Sequence, residues 1–172
     1  MNVQDRLDAC LIDLKRGKAT ALKEIYDLIS HSVFGVAISV TKNYALSEEI
    51  MQDTFIKLQE KINYYKEGTN AHAFIITIAR NLALNELKKN NRVVSADFLE
   101  ETLQDNNKIE MTTVLKIALN TLNELERQVV LLNVVSGFKH REIAVILNKP
   151  LGTVLWIYSK AMAKLKSDLK EV

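Results

Sequence analysis

Apolar residues recur every three or four positions along most of the chain, and this spacing predicts α-helices. In the segment 18–43, for example, the residues at helical spacing are Leu22, Ile25, Ile29, Val33, Val36 and Val40. The same pattern predicts helices at about 3–15, 18–43, 48–62, 71–89, 112–122, 124–135, 139–147 and 150–169. No segment requires a strand, so we expect an all-α protein.

Residues of the types that begin and end helices lie near these boundaries. Gly17 and Gly137 are suited to helix ends, and Pro150 is suited to a helix start because its missing N–H would be unpaired there. Ser47, followed by Glu48 and Glu49, is the expected N-cap of the third helix, with acids in the first turn.

Helical periodicity fails in the stretch 88–110, where paired asparagines and acids predominate. Residues 93–110 contain five acids and one base, and a short helix at about 98–103 is the only element expected there. We therefore predict two small helical domains, residues 1–92 and 112–172, joined by an acidic linker at 93–111.

Composition narrows the class of protein. The chain has 172 residues, 48% of them apolar, and its net charge of +2 does not by itself indicate a nucleic-acid partner. The charge is unevenly distributed, since residues 63–92 carry five bases against two acids and residues 138–172 carry seven against three. No apolar run approaches the ~20 residues of a membrane span, and the N-terminus is unlike a signal peptide. A soluble, cytoplasmic protein is expected.

Catalytic and metal-binding motifs are not found. Cys10 is the only cysteine, and His31, His72 and His140 lie far apart without metal-ligand spacing. The sequence contains no HExxH, GxSxG, P-loop or GxGxxG motif. We expect no enzyme activity, no bound metal and no cofactor.

The last two predicted helices have the plan of a helix-turn-helix, in which a turn at Asn148-Lys149 separates a short helix from a longer one. One stripe of the final helix should pack inward: Leu151, Val154, Tyr158, Ala161, Leu165 and Leu169. Leu155 and Trp156 lie outside that stripe, which favours a surface that contacts a partner. Packing against the preceding helix or the other domain is the alternative. Arg141, Lys160 and Lys164 are suited to hold DNA phosphates, or form a solvated basic face.

A second segment, 63–89, combines aromatic, basic and amide side chains. Aromatic rings stack on unpaired bases and basic groups follow the backbone of single-stranded nucleic acid. The candidate residues are Tyr64, Tyr65, Lys66, Asn70, Phe74, Arg80, Asn81, Asn85, Lys88 and Lys89. The alternative is that Phe74 belongs to the core and the tyrosines only cover a loop.

Three motifs together resemble the sigma-70 family of RNA polymerase sigma factors, of the extracytoplasmic-function type. SEEIMQDTF and AFIITIARNLALNELKK resemble its promoter-melting domain, and LNELERQVVLLNVVSGFKHREIAVILNKPLGTVLWIYSKAMAKLK resembles its C-terminal helix-turn-helix domain. The resemblance covers about residues 18–92 and 112–169, with the motifs in the family's order.

The resemblance implies three sets of site residues. Those that bind core polymerase would be Glu49, Gln52, Asp53 and Phe55. Those that bind the minus-ten element, including a flipped base held by the loop 63–70, would be Tyr64, Tyr65, Lys66, Asn70, Phe74, Arg80, Asn81, Asn85 and Lys88. Those that bind the minus-thirty-five element would be Lys139, Arg141, Thr153, Leu155, Trp156, Ser159, Lys160 and Lys164.

The chain departs from the family pattern at several of these positions. Phe74 stands where tryptophan is usual, Asn85 where aspartate is usual, and Ile157, Lys160 and Met162 where arginine is usual. Base reading by Leu155 and Trp156 would therefore use apolar contact with thymine methyl groups.

The implied function is a non-enzymatic initiation subunit that directs RNA polymerase to a small set of promoters. The family commonly implies an anti-sigma antagonist as well. Two alternatives remain open. One is a helix-turn-helix repressor or activator that acts without polymerase. The other is a sigma-like regulator whose last helix grips a protein through Leu155, Trp156 and Ile157.

Overall fold

The computed structural model describes residues 3–89 and 120–168, and all of its regular elements are helical. The helices are α1 Val3–Lys15, α2 Thr20–Thr41, α3 Tyr44–Lys61, α4 Ala71–Lys89, α5 Glu124–Val134, α6 His140–Leu147 and α7 Leu151–Asp168, with a 3-10 turn at Ile62–Tyr64. The predicted all-α class is confirmed. The expected linker at 93–111 and most of the helix expected at 112–122 lie outside the described residues.

The third helix begins earlier than expected, and its N-cap is Asn43 rather than Ser47. Lys42 has a left-handed backbone (φ 54°) that turns the chain, and extended Asn43 then accepts a hydrogen bond from Leu46 N at 3.0 Å. Ser47 is buried one turn inside the helix, where its hydroxyl donates to Asn43 O at 2.6 Å. Asn43 and Ser47 are both suitable N-cap residues, and the left-handed turn at Lys42 places Asn43 at the start of the helix.

Helix α2 is the centre of the N-terminal segment and packs against α1, α3 and α4. All residues from Val33 to Thr41 are buried. A helix that is buried on every side must be surrounded by other elements, so this half of α2 contacts more than the three helices that precede and follow it.

The additional neighbour is α5, from the C-terminal segment. Residues Glu126 to Leu132 of α5 are buried between α2 and α7, and α6 packs beside them. One hydrophobic core runs continuously from Leu7 through Ile38 and Val129 to Leu165. The N-terminal and C-terminal segments therefore share a core in this structure, a contact that the sequence did not predict.

Candidate nucleic-acid interface

One face of α3 is acidic and exposed. Glu49, Gln52 and Asp53, three of the predicted polymerase-binding residues, point to solvent at helical spacing. Ile56 lies on the same face and is 56% exposed. Ile56 was not among the predicted site residues, although its spacing from Gln52 and Asp53 was sufficient to place it there. The result is an acidic surface that also carries one exposed apolar residue, and we call it the α3 face.

Phe55, the fourth predicted polymerase-binding residue, lies on the opposite side of α3. Its side chain is buried, and its ring centroid lies 5.0 Å from that of Tyr26 on α2. Phe55 therefore holds α3 against α2 and is not part of the α3 face.

The two adjacent tyrosines before α4 have opposite environments. Tyr64 is 78% exposed, whereas Tyr65 is only 1% exposed and donates its hydroxyl hydrogen to the carboxylate of Asp8 on α1. Burial, reinforced by this carboxylate, raises the pKa of Tyr65 well above its usual range. Tyr64 can stack on a base in this structure, and Tyr65 cannot.

The loop that carries these tyrosines is held against α1. Lys15 Nζ donates to Tyr65 O at 3.0 Å, and Gly68 takes a left-handed conformation (φ 75°) that turns the chain toward α4. Asn70 then begins α4 by accepting from Ala73 N at 2.8 Å. Lys66 remains exposed at the outer side of the loop. The loop is therefore shaped by contacts within the N-terminal segment.

Along α4, four predicted contact residues lie on one face. Asn81, Asn85 and Lys88 are exposed at helical spacing, and Phe74 lies half-buried in the same row. The Phe74 ring packs against Tyr65, with centroids 5.3 Å apart. We call this row the α4 face.

Arg80 is not part of the α4 face. It lies on another side of the helix, where its Nε donates to the side-chain oxygen of Gln128 on α5 at 2.8 Å. Burial lowers the pKa of Arg80, partly offset by the carboxylate of Glu124. The Nε of Arg80 is therefore taken up by Gln128 in this structure and is not free to contact DNA.

A groove of about 630 Å³ runs beside the α4 face. Tyr64, Phe74 and Asn81 line one side, and Val145 and Ile146 of α6 line the other. The groove thus lies between a surface predicted to bind the minus-ten element and the C-terminal segment. Val145 is strongly exposed at its rim and was not among the predicted site residues.

Helices α6 and α7 form the predicted helix-turn-helix. Asn148 ends α6 in a left-handed conformation (φ 51°), and α7 begins after Pro150. Leu155 and Trp156 are exposed, Trp156 by 62%, but Ile157 is buried at 4% because it belongs to the inward stripe with Val154 and Ala161. The expectation that Ile157 grips a partner was therefore wrong.

Several basic and polar residues border the exposed part of α7. Lys139 and Arg141 are exposed at the start of α6, Ser159 is exposed on α7, and Thr153 is half-buried. Lys160 Nζ lies 5.0 Å from the Trp156 ring centroid, within the range of a cation–π contact.

The buried carboxylate of Glu126 on α5 engages the basic residues of α7. Lys164 Nζ donates to both of its oxygens, at 2.8 and 2.7 Å, and Lys160 Nζ lies 4.0 Å away. Burial acts to raise the pKa of Glu126, but the bonds from Lys164 and from Asn123 N outweigh it and leave the pKa lowered. Lys164 consequently fastens α7 to α5 in this structure instead of presenting a free charge to DNA.

The three histidines are separated, and no group of His, Cys, Asp or Glu side chains in the described ranges could hold a metal ion. His72 packs on Phe138 with ring centroids 4.3 Å apart, and burial lowers its pKa to about 4. No helix within the described residues is long and apolar enough to span a membrane.

Two regions of one known protein family match this chain in the same order as the surfaces described above. Residues 25–93 match sigma-70 region 2, and residues 115–165 match sigma-70 region 4. The ECF RNA polymerase sigma factor SigM of Bacillus subtilis (strain 168) is 26% identical over 74 residues. Those residues are 43% of this chain and 45% of SigM, so the aligned part spans less than half of either protein.

Two solved structures have a similar fold. The sigma factor RpoE, in complex with the anti-sigma factor NepR from Bartonella quintana, is 25% identical with a TM-score of 0.69, over 86% of this chain and 96% of that one. CnrH, in complex with the cytosolic domain of CnrY, is 18% identical with a TM-score of 0.72, over 99% of both chains. At that identity, the likeness to CnrH concerns the fold alone.

Proposed function

The chain belongs to the sigma-70 family, extracytoplasmic-function type, and we propose that it binds core RNA polymerase and directs transcription initiation at a small set of promoters. In this role the protein would bind polymerase and promoter DNA and position them in the cytoplasm, without catalysing a reaction itself. The observation that carries the proposal is the order of surfaces along the chain. The α3 face and the α4 face lie in the region 2 match, and the helix-turn-helix lies in the region 4 match.

The α3 face is the proposed site for core polymerase. It combines exposed Glu49, Gln52 and Asp53 with exposed Ile56. Charged groups at the rim of an interface steer association, and a desolvated apolar residue contributes to its stability. We expect this face to meet a basic surface of the polymerase that also offers an apolar contact for Ile56.

The α4 face, with Tyr64 beside it, is the proposed site for the melted minus-ten element. Tyr64 offers an exposed ring for stacking, Asn81 and Asn85 offer hydrogen bonds, and Lys88 offers a charge for a phosphate. Stacking is worth ~1–3 kcal/mol per base, which is comparable to the few kcal/mol required to extrude a base.

Helix α7 is the proposed reader of the minus-thirty-five element. Leu155 and Trp156 would contact thymine methyl groups in the major groove, while Lys139 and Arg141 hold phosphates. Residues 1–92 and 112–172 would then act as two DNA-binding domains, with 93–111 as the linker.

Run-off transcription with purified core polymerase, with and without the chain, tests the proposal. We expect discrete new transcripts with the wild-type chain and their loss in Asp53→Lys, since the reversed charge would face basic groups of the polymerase. Asp27→Lys is the matched control, because Asp27 is exposed and belongs to α2 rather than to the α3 face. New transcripts that persist in Asp53→Lys would contradict the assignment of the α3 face.

The exposed apolar pair Leu155 and Trp156 favours one alternative, a sigma-like regulator whose last helix binds a protein. An anti-sigma partner is also proposed, on the grounds that RpoE is found in complex with the anti-sigma factor NepR. Core binding without any transcript would favour the regulator. Neither core binding nor transcripts would favour a helix-turn-helix regulator that acts without polymerase.

A further inference from the structure

The carboxylate of Glu126 lies at the contact between α5 and α7, and only 3% of its side chain is exposed. Its Oε2 accepts from Lys164 Nζ at 2.7 Å and from the backbone N–H of Asn123 at 3.1 Å, and its Oε1 accepts from Lys164 Nζ at 2.8 Å. A buried carboxylate is costly unless its oxygens are bonded and its charge is paired. Removing Lys164 from this position would therefore leave a buried charge without its partner.

A second lysine of α7 lies between this carboxylate and the exposed tryptophan. Lys160 Nζ is 4.0 Å from Glu126 Oε1 and 5.0 Å from the ring centroid of Trp156. Trp156, Lys160 and Lys164 are spaced four residues apart, which places them in one row along the helix. The row begins at an exposed ring and ends at a buried carboxylate. The charge of Glu126 thus attracts both lysines of the row, and it attracts Lys164 more strongly.

This arrangement limits which side chains of α7 can bind DNA phosphates. An ammonium group that is bonded to Glu126 cannot neutralise a phosphate unless that bond breaks and leaves the buried carboxylate unpaired. Phosphate contacts supply nearly all of a protein's affinity for DNA of arbitrary sequence. A free lysine can therefore hold a helix on the DNA backbone in any register, including registers in which the neighbouring side chains contact no base.

We infer that Glu126 is a specificity-determining residue for the DNA that α7 reads. By holding Lys164 and attracting Lys160, it prevents the helix from binding phosphates in arbitrary registers. The exposed pair Leu155 and Trp156 then decides the register through contact with thymine methyl groups. Specificity is a difference between affinities, so weaker binding to every wrong register raises it. This inference rests on the proposed role of α7 as the reader of the minus-thirty-five element.

Binding of the full chain to two short DNA duplexes tests the inference. One duplex alternates adenine with thymine, and the other has uracil in place of thymine, so the two differ only in the methyl group. We expect wild type to bind the thymine duplex several-fold more tightly than the uracil duplex. Glu126→Gln should bind both duplexes more tightly and reduce that ratio at least twofold. Its plot of log affinity against log salt should also become steeper by about 0.9 for each additional phosphate contact.

Glu124→Gln is the matched control for these measurements. It removes the same charge two residues earlier on α5, at an exposed position. Glutamine at position 126 can still act in the capping box, so the helical content of both variants should equal that of wild type. We expect Glu124→Gln to keep the wild-type ratio and salt dependence. Equal changes in the two variants would show an effect of net charge alone and would overturn the inference.

The fluorescence of Trp156, the only tryptophan of the chain, tests the same arrangement without DNA. Iodide is an anion and collects near free ammonium groups, whereas acrylamide is neutral. At low ionic strength we expect iodide quenching of Trp156 to rise about twofold in Glu126→Gln, because the positive charge beside the ring is no longer offset. Acrylamide quenching should not change, and Glu124→Gln should behave as wild type. Unchanged iodide quenching in Glu126→Gln would show that Glu126 does not control the lysines of this row.

The outcomes separate this inference from the proposed function. If wild type prefers the thymine duplex and Glu126→Gln keeps the same ratio and salt dependence, the inference alone is overturned. Equal binding of wild type to both duplexes would show that methyl groups are not read, which also overturns it. If wild type binds neither duplex and directs no transcription with core polymerase, the proposed function fails and this inference fails with it.

Discussion

Acid should destabilise this fold through His72. The imidazole packs on Phe138 of the C-terminal segment, and burial holds its pKa at about 4 although the carboxylate of Glu142 acts to raise it. In the unfolded chain the pKa returns to about 6.5. Between these two values the unfolded chain binds a proton that the folded chain does not, so the free energy of unfolding decreases as the pH falls from about 7 to 4.

The size of the effect follows from the two pKa values. At pH 5 the unfolded imidazole is almost fully protonated and the folded one is protonated in only a small fraction of molecules. The linkage relation then gives a loss of about 2 kcal/mol between pH 7.5 and pH 5, from this residue alone. This is a large part of the ~5–15 kcal/mol that typically stabilises a small domain.

Urea unfolding at pH 7.5 and pH 5 measures this loss when wild type is compared with His72→Phe. Phenylalanine retains a ring against Phe138 and has no titrating group, so the variant should lose about 2 kcal/mol less than wild type over this interval. The exposed His31→Gln is the control and should behave as wild type. Equal losses in wild type and His72→Phe would refute the argument that His72 is held neutral at the junction.

Two further predictions concern the C-terminal helices. Glu126→Gln keeps a capping side chain at the start of α5 but removes the ion pair with Lys164, so thermal or urea unfolding should show a loss of about 1–2 kcal/mol. Glu60→Gln, in the exposed pair with Lys57, should cost less than ~0.5 kcal/mol, and equal losses would contradict the importance of burial. Trp156→Ala should leave stability within ~0.5 kcal/mol of wild type and weaken promoter binding about tenfold; unchanged binding would remove Trp156 from the interface.

The positions of the helices were predictable because helix formation is largely local. The 3.6-residue period of apolar positions located every helix of the described residues within a few positions. The start of α3 was misplaced because Asn43 and Ser47 are equally good capping residues. The backbone turn at Lys42 that decides between them is not visible in the pattern of apolar positions.

The exposed members of the candidate site were also largely predictable. Asp53, Asn81 and Trp156 lie off the apolar stripes of their helices, and the structure finds all three exposed. Ile56 and Val145 were not among the predicted site residues, although both are exposed. Helical spacing places both side chains on exposed faces of their helices, whereas apolar side chains of this type are usually buried.

By itself, the sequence determined the helical class, the order of the elements and the family to which the chain belongs, because these depend on periodicity and on motifs within short segments. Only the tertiary structure decided which polar side chains already have a bonding partner within the protein. Tyr65 is bonded to Asp8, Arg80 to Gln128 and Lys164 to Glu126, in each case across a large separation along the chain. The physical reason is that a side chain's partner depends on which distant helices pack together, and the helical period carries no information on that choice.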